Sequence, residues 1–303
     1  MNNKRKMKPY LITTLLLLLA LASNAQQGIT YTQHGQIRGI LNPAASLIHG
    51  SGEISIVGRR QWVGLEGAPT ILWGGGHVGL KNFGATVGLN FRHEALAVEK
   101  QTEVSAYFAK AVRISESEYV GLSLNAGVVN HNANFSQLDP MDLAFADDIR
   151  ETDALVGFGV MLYRPDRYYV GLALPRLMLG NLGVDSDNRY NFRNQYFLNA
   201  GALFELNSDF HVKPALLVVY AESLRPQADV SAMVFVKRAF GLGINLRSYG
   251  EVGLLSQINL RQMGIGYSYQ FNANNQELNR RIGNSTHEVG LSYRFGKTGI
   301  SLL

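Results

Sequence analysis

The sequence predicts an all-β protein, a transmembrane outer-membrane β-barrel of about fourteen antiparallel strands. Three observations support this fold class. Segments of about ten residues alternate apolar with small or polar side chains, a leader pattern precedes them, and no later segment is long and apolar enough for a membrane-spanning helix. In lipid, backbone N–H and C=O groups must be hydrogen-bonded within the protein, which only helices and closed barrels achieve. Without a membrane-spanning helix, a closed barrel is the remaining structure that can cross the membrane.

The clearest alternation lies in the last predicted strand, at residues 286–295. One face carries Val289 and Leu291 with flanking aromatic groups, whereas the other carries Glu288 and Gly290. Such a strand suits a wall between lipid and a wet lumen. The pattern recurs along the chain, and we predict strands near residues 53–61, 69–80, 82–93, 99–114, 117–128, 152–163, 167–174, 195–206, 209–222, 228–238, 240–248, 251–260, 262–271 and 286–295.

The amino terminus has the layout of a secretory signal peptide. Four basic residues between positions 4 and 8 precede an apolar run at 11–21, and small residues at 23–25 precede a cleavage site expected ahead of Gln26. Export together with alternating strands predicts the bacterial outer membrane as the location. We predict four segments: a signal peptide at 1–25, a periplasmic or lumenal N-terminal arm at 26–52, the barrel at 53–295 and a C-terminal tail at 296–303.

Composition limits the possible chemistry. The formal net charge is +5, but the leader contains four basic residues and no acidic ones, so the exported chain is close to neutral. A nucleic-acid partner is therefore not indicated. The chain has no cysteine, which excludes disulfides, thiol chemistry and acylation of a lipoprotein cysteine.

Motifs for catalysis, metals and nucleotides are missing or out of context. The seven histidines are scattered without an H-E-x-x-H pair, and no G-x-S-x-G is present. An acidic loop carries Asp139, Asp142, Asp147 and Asp148, but it lacks the ligand spacing of an EF-hand. The glycines at 74–79 fit G-x-G-x-x-G, yet strand-like sequence follows them instead of a helix. We predict no enzymatic activity, cofactor, metal or small-molecule substrate.

Two short stretches near the first strand have the most distinctive composition. Asn42-Pro43 predicts a turn, and Trp62, followed by Gly64, Gly67 and Pro69, predicts an aromatic-anchored loop between the first two strands. A purely structural interpretation stays open, in which Trp62 is an interfacial anchor and the other residues only form the turn.

These stretches resemble the PorP/SprF family of type IX secretion system membrane proteins of Bacteroidetes. The family's N-P-A is matched by 42–44, its R-x-Q-W-x-G by Arg59 or Arg60 with Gln61, Trp62 and Gly64, and its G-A-P by 67–69. Residues 169–177, with Pro175 and Arg176, look like the family's strand leading into S-x-P-x-L. The family's aromatic-rich stretch after the signal is reduced here to residues 31–36.

The resemblance implies a non-catalytic outer-membrane barrel that contacts lipid and secretion partners. One family role links the barrel to the periplasmic motor ring through PorK/PorN and PorE. The other, SprF-like role serves one adhesin that carries a type B C-terminal domain, and we lean towards it. A passive or hydrophobic-solute channel remains the alternative. Within the resemblance, the partner-binding candidates are Arg60, Gln61, Trp62, Gly64, Gly67, Pro69, Asn42, Pro43, Pro175 and Arg176.

The last strand also predicts an assembly signal. Glu288, Gly290, Tyr293 and Phe295 have the polar, glycine and paired-aromatic spacing expected of a terminal barrel strand. Interior charges are expected to pair, and we predict ion pairs of Arg92 with Glu94 and of Glu288 with Arg294, because charge on the lipid face would cost about 2–4 kcal/mol.

Overall fold

A computed structural model describes residues 31–49, 51–138, 147–180, 194–222, 224–273, 285–296 and 302–303. The predicted signal peptide, Asp139 and Asp142 lie outside the described residues. Within them, the strands are β1 (Gly52–Arg60), β2 (Thr70–Leu80), β3 (Ala85–Leu96), β4 (Glu99–Arg113), β5 (Tyr119–Ala133), β6 (Ile149–Arg164), β7 (Tyr168–Met178), β8 (Gln195–Ala202), β9 (Phe204–Glu205), β10 (Phe210–Ala221), β11 (Gln227–Val236), β12 (Phe240–Arg247), β13 (Glu251–Leu260), β14 (Met263–Asn272) and β15 (Thr286–Arg294).

The strands form one closed antiparallel barrel. The two-residue β9 continues β8 beyond Leu203 and pairs with β10 in the same register, so the wall has fourteen strands, as predicted. Each strand pairs with its neighbours in sequence, and β15 pairs with β1 to close the sheet. In this closing seam Glu53 lies opposite Arg294, and Arg59 lies opposite Glu288.

The two faces of the wall are sorted as the alternation predicts. Leu124 and Leu242 point outwards and are 69% and 71% exposed, whereas Asp229 and Glu288 point inwards and are fully buried. A water-soluble protein would bury its leucines and expose its carboxylates. The outer surface is therefore a lipid-facing surface around a polar interior.

The two ends of the barrel differ in the length of their connections. At the end we call the turn end, each connection has at most five residues: 81–84, 114–118, 165–167, 206–209, 237–239 and 261–262. At the opposite loop end, three connections are much longer: 134–148, 179–194 and 273–285. The first residue of β1 and the last residue of β15 both lie at the turn end.

Three strands are at least three residues longer than the sequence predicts, and one of them is β7, which continues to Met178 instead of ending near 174. β5 continues to Ala133 instead of ending near 128, and β6 begins at Ile149 instead of near 152. In the added part Asn130 pairs with Thr152, and Asn132 pairs with Arg150. Polar side chains occupy both faces there, so the pairing continues where the lipid-facing alternation has stopped.

Candidate functional site

Residues 31–49, the arm, lie inside the barrel. Backbone and side-chain groups of the arm contact residues on opposite sides of the wall: Glu288 on β15, Thr86 on β3, Val160 on β6, Met233 on β11 and Asn245 on β12. Only a segment in the lumen can reach all of these strands. The arm is almost entirely buried as a result.

The arm leaves little free space around it. Two cavities along the arm have volumes of about 40 and 20 Å³, and polar side chains such as Asn90 and Arg176 line the larger one. A wider pocket of about 310 Å³ lies beside Leu47 at the turn end. A cavity needs about 10–15 Å³ to hold one water molecule, so the two smaller cavities suit a few waters at most. The lumen is therefore filled along most of the described arm and widens only beside Leu47.

The arm is fixed near the loop end by one buried carboxylate. Glu288 accepts the backbone N–H groups of Thr32 and Gln33, at 3.1 and 2.9 Å, and its Oε2 lies 3.0 Å from Nη1 of Arg59. Both charged side chains are almost completely buried. Hydrogen bonds to charged groups contribute roughly 1.5–3 kcal/mol each, so this cluster is a strong attachment point.

Gln270 connects this attachment to the neighbouring strands. Its Oε1 accepts hydrogen bonds from the hydroxyl of Thr32 at 2.9 Å and from Nη2 of Arg59 at 3.0 Å. It also lies 3.3 Å from Nη1 of Arg247, whose Nε pairs with Asp229 at 2.6 Å. The polar network therefore runs from the seam across β14 and β12 to β11.

Asn42 attaches the arm on the other side of the barrel. Its Nδ2 donates to the carbonyl of Val160 at 3.1 Å, and its Oδ1 accepts the N–H of Ala44 at 3.0 Å. The second bond caps a short 3-10 helix at Pro43–Leu47, in which proline occupies the first turn. The Asn42-Pro43-Ala44 motif thus shapes the arm and binds it to the wall.

Two glycines of the wall make room for these attachments. A Cβ on Gly266 would lie 2.0 Å from Oε1 of Gln33, and a Cβ on Gly159 would lie 2.2 Å from Oδ1 of Asn42. Any other residue would force the arm or the wall to move. These glycines of the inner face therefore allow the arm to pack closely against the wall.

The predicted aromatic loop, residues 61–69, lies at the loop end. Trp62 is 40% exposed and has φ of 44°, and Gly64 and Gly67 also have positive φ. The loop is held by backbone hydrogen bonds from Gln61 to Pro69 and from Ala97 to Gly67, at 2.9 and 2.8 Å. These contacts fix the path of the loop while Trp62 stays accessible.

The two arginines before this loop have different environments. Arg59 points into the lumen and pairs with Glu288, whereas Arg60 is exposed on the outer side. The family pattern R-x-Q-W therefore aligns its arginine with Arg59, a residue of the interior. Arg60, Gln61 and Trp62 remain as the accessible part of the motif.

Pro175 and Arg176 form a bulge near the loop-end side of β7. Two residues of β7 lie opposite Gly157 of β6, and the carbonyl of Pro175 accepts Nδ2 of Asn125 at 2.7 Å. Nε of Arg176 lies 2.7 Å from Glu103 inside the lumen. Both residues are thus part of the interior, and a partner-binding role for them remains a prediction.

One of the two predicted ion pairs is wrong. Arg92 pairs with Glu94 as expected, but Glu288 pairs with Arg59, and Arg294 pairs with Glu53 at 2.9 Å. Residues 288 and 294 are six positions apart on one strand, about 20 Å in an extended chain. Residues directly opposite on neighbouring strands are only about 5 Å apart, so the cross-strand partners form the pairs.

The residues of the predicted assembly signal occupy both faces of β15. Gly290 faces the lumen, where a Cβ would lie 2.9 Å from Cδ1 of Ile37. Tyr293 and Phe295 face outwards at the turn end, with ring centroids 5.2 Å apart. Recognition of these residues during barrel assembly remains a prediction.

Sequence reasoning missed the residues that hold the arm. Thr32 and Gln33 lie in the reduced family stretch at 31–36, which gave no sign of their partners. Their bonds to Gln270 and Glu288 span more than 200 positions of the chain. A usable signal was the placement of Glu288 and Gln270 on the inward phase of two adjacent strands. Inward carboxylate and amide groups need partners, and the segment before β1 could supply them.

The described residues offer no obvious metal site or helical span. In this part of the chain no group of three or more histidine, aspartate or glutamate side chains is arranged to hold a metal ion. No helix among the described residues has the length and hydropathy that crossing a membrane requires.

Solved structures with a similar fold are outer-membrane proteins. Omp33 of Acinetobacter baumannii has a TM-score of 0.46 at 8% identity, with 82% of this chain and all of that chain covered. A FadL homologue of Pseudomonas aeruginosa has a TM-score of 0.46 at 9% identity, with 84% of this chain and 93% of that chain covered. The toluene transporter TodX of P. putida has a TM-score of 0.43 at 8% identity, with 88% of this chain and 95% of that chain covered. Likeness at this level carries no argument about function.

No curated protein matches this sequence. The family model described as "Type IX secretion system membrane protein PorP/SprF" matches residues 23–293, which is nearly the whole chain. Together with the lipid-facing barrel, this match places the protein in the outer membrane. The chain therefore belongs to the PorP/SprF family of type IX secretion system membrane proteins.

Proposed function

We propose that this barrel is a non-catalytic, SprF-like component that binds one exported adhesin at the cell surface. The adhesin would carry a type B C-terminal domain, as the family resemblance implies. The observation that carries the proposal is the position of the Trp62 loop at the loop end of the barrel. The sidedness of the barrel decides which partners can reach that loop.

The connection lengths orient the barrel in the membrane. Outer-membrane barrels have short periplasmic turns and longer extracellular loops. The turn end, with connections of at most five residues, is accordingly the periplasmic end, and the loop end faces outwards. A partner of the Trp62 loop is then a surface protein and not one of the periplasmic PorK/PorN/PorE-like components.

The Trp62 loop has properties of a binding site. Partly exposed tryptophan and arginine side chains dominate the energy of many protein interfaces. The hydrogen bonds that Gln61 and Gly67 make within and beside the loop hold it in one conformation. Binding to a fixed loop loses less conformational entropy than binding to a flexible one, which favours affinity.

The solute-channel alternative has less support. A pocket of about 310 Å³ lies beside Leu47 at the turn end, but the cavities further along the arm measure only about 40 and 20 Å³ and do not admit a solute larger than water. A channel would require the arm to leave its many buried contacts. An anchor for a surface partner requires no such change.

Affinity purification from the native membrane tests the proposal. The tagged parent is compared with Trp62→Ala and with Phe83→Ala, which removes a 68% exposed aromatic side chain at the turn end. We expect a large exported adhesin with the parent and with Phe83→Ala, and at least about tenfold less with Trp62→Ala, as for an interface anchor.

Folding of each variant is checked by heat-modifiable gel mobility. Recovery of a periplasmic motor-ring lipoprotein in place of an adhesin would support the motor-linked role and contradict the proposal. Recovery of the barrel alone, together with a stable open-channel conductance in planar bilayers, would favour the solute channel.

A further inference from the structure

A lysine is buried inside the barrel wall near the turn end. Lys213 points inwards from β10, and only 3% of its surface is exposed. Its Nζ donates to the carbonyl oxygen of Leu302 at 2.5 Å. Burying an ammonium group without a partner is costly, so this carbonyl oxygen satisfies a strong requirement.

Glu53 interacts electrostatically with Lys213, but its hydrogen bonds go to other groups. Glu53 is already bonded to Nε of Arg294, at 2.9 Å, and to the hydroxyl of Ser55. Arg38 of the arm and Arg294 are both close enough to interact electrostatically with Lys213, so the surroundings carry an excess of positive charge. An acceptor from another part of the chain is needed, and Leu302 provides it.

The side chains of Leu302 and Leu303 are also buried. Leu302 and Leu303 are 3% and 1% exposed, and they belong to one apolar cluster with Ala44, Leu47 and Ile48 of the arm. Inward side chains of the wall, including Met233 and Phe235, complete that cluster. Residues 302–303 therefore pack against the later part of the arm inside the lumen.

We propose that Leu302 and Leu303 are a latch that locks the arm into the barrel. The Leu302 carbonyl oxygen is the hydrogen-bond acceptor that the buried Lys213 ammonium group needs. The two side chains complete the apolar cluster on the arm, which would otherwise face the periplasmic opening. Removing the latch leaves a buried cation unpaired and the arm uncovered, so the arm opens more often.

Cysteine labelling measures arm opening directly, because the chain has no cysteine of its own. Ser46→Cys places a thiol on the arm at a site that is buried in the closed barrel. The rate of maleimide labelling is compared in the full chain, in a chain lacking residues 302–303, in Lys213→Met, and in the combination. Lys237→Met, at an exposed lysine of the turn end, is the matched control.

We expect truncation to raise the labelling rate about tenfold, the effect of losing one buried hydrogen bond to a charged group. Lys213→Met should make this increase markedly smaller, since no cation is then left unpaired, whereas Lys237→Met should not. A rate that truncation changes less than about twofold, or an increase that Lys213→Met leaves intact, would overturn the proposal. If the truncated barrel does not fold, Leu302→Ser with Leu303→Ser tests the apolar part of the latch alone. This variant keeps the carbonyl of residue 302, so labelling should rise at least about twofold with or without Lys213→Met, and an unchanged rate would overturn the proposal.

Discussion

Arg59 and Glu288 lie directly opposite each other across the seam where the first and last strands of the barrel pair. Their ion pair, at 3.0 Å, is formed by the same carboxylate that accepts two backbone N–H groups of the arm. Closure of the barrel and attachment of the arm therefore depend on one side chain. Neither attachment is complete until the two ends of the barrel sequence have met.

Removing Glu288 should weaken both the closure of the barrel and the attachment of the arm. Glu288→Ala leaves the Arg59 guanidinium buried without its partner, and breaking a buried ion pair costs about 3–5 kcal/mol. The double variant Arg59→Met with Glu288→Leu should cost less, because no buried charge remains unpaired. Denaturant titration followed by gel mobility measures the loss of stability in the single and in the double variant. Glu66→Ala on the exposed loop is the control. Equal losses in the single and double variants would contradict this prediction.

A methyl group on Gly266 should disturb the arm. Gly266→Ala places a Cβ 2.0 Å from Gln33, whereas Gly58→Ala on the outer face meets nothing within 4 Å. We expect Gly266→Ala to lower stability by about 1–3 kcal/mol, the usual cost of overpacking, and Gly58→Ala to have little effect. Adding Gln33→Ala should restore most of the loss. Equal effects of the two glycine substitutions would show that Gln33 is not packed against the wall.

A disulfide should form between the arm and β3. The hydroxyl groups of Ser46 and Thr86 lie 2.6 Å apart, close to the geometry that a disulfide needs. Ser46→Cys with Thr86→Cys should oxidise in the periplasm and change the mobility of the unreduced protein. Ser46→Cys with Thr70→Cys, which places the second thiol at the loop end, should not. Absence of the first crosslink in a folded barrel would mean that the arm lies elsewhere.

The terminal strand provides a test of assembly. Tyr293→Ser with Phe295→Ser removes two interfacial aromatic groups from the last strand. We expect heat-modifiable mobility to disappear, or the protein to be degraded in the periplasm. Tyr196→Ser with Tyr220→Ser removes a similar exposed pair, with rings 5.9 Å apart, from internal strands and should fold. Normal folding of the first variant would show that these aromatic groups are dispensable for assembly.

The wall was predictable because its signal is local. Alternation over about ten residues is visible in a strand such as β15 without knowledge of its neighbours. The arm was not predictable in this way, since the bonds of Thr32 and Gln33 reach residues more than 200 positions away. The pairing of Glu288 with Arg59 depends on the register across the seam, and that register is a property of the closed barrel.

The Trp62 loop was predictable only in part. Its glycines and proline predicted a turn, and the positive φ values of Gly64 and Gly67 agree with that. Its position on the loop end depends on the order and number of strands. Arg59 points inwards and Arg60 points outwards because successive side chains of β1 alternate between the two faces. The sequence analysis did not decide which of the two arginines points inwards.

The filled lumen gives the barrel mechanical stiffness. A hollow cylinder of hydrogen-bonded strands can flatten when it is pushed from the side, but a close-packed interior resists compression. Here the arm touches opposite walls, from Glu288 on β15 to Val160 on β6, so it acts as an internal brace. A pull on the loop end would then be distributed over the whole circumference instead of tearing one hairpin away.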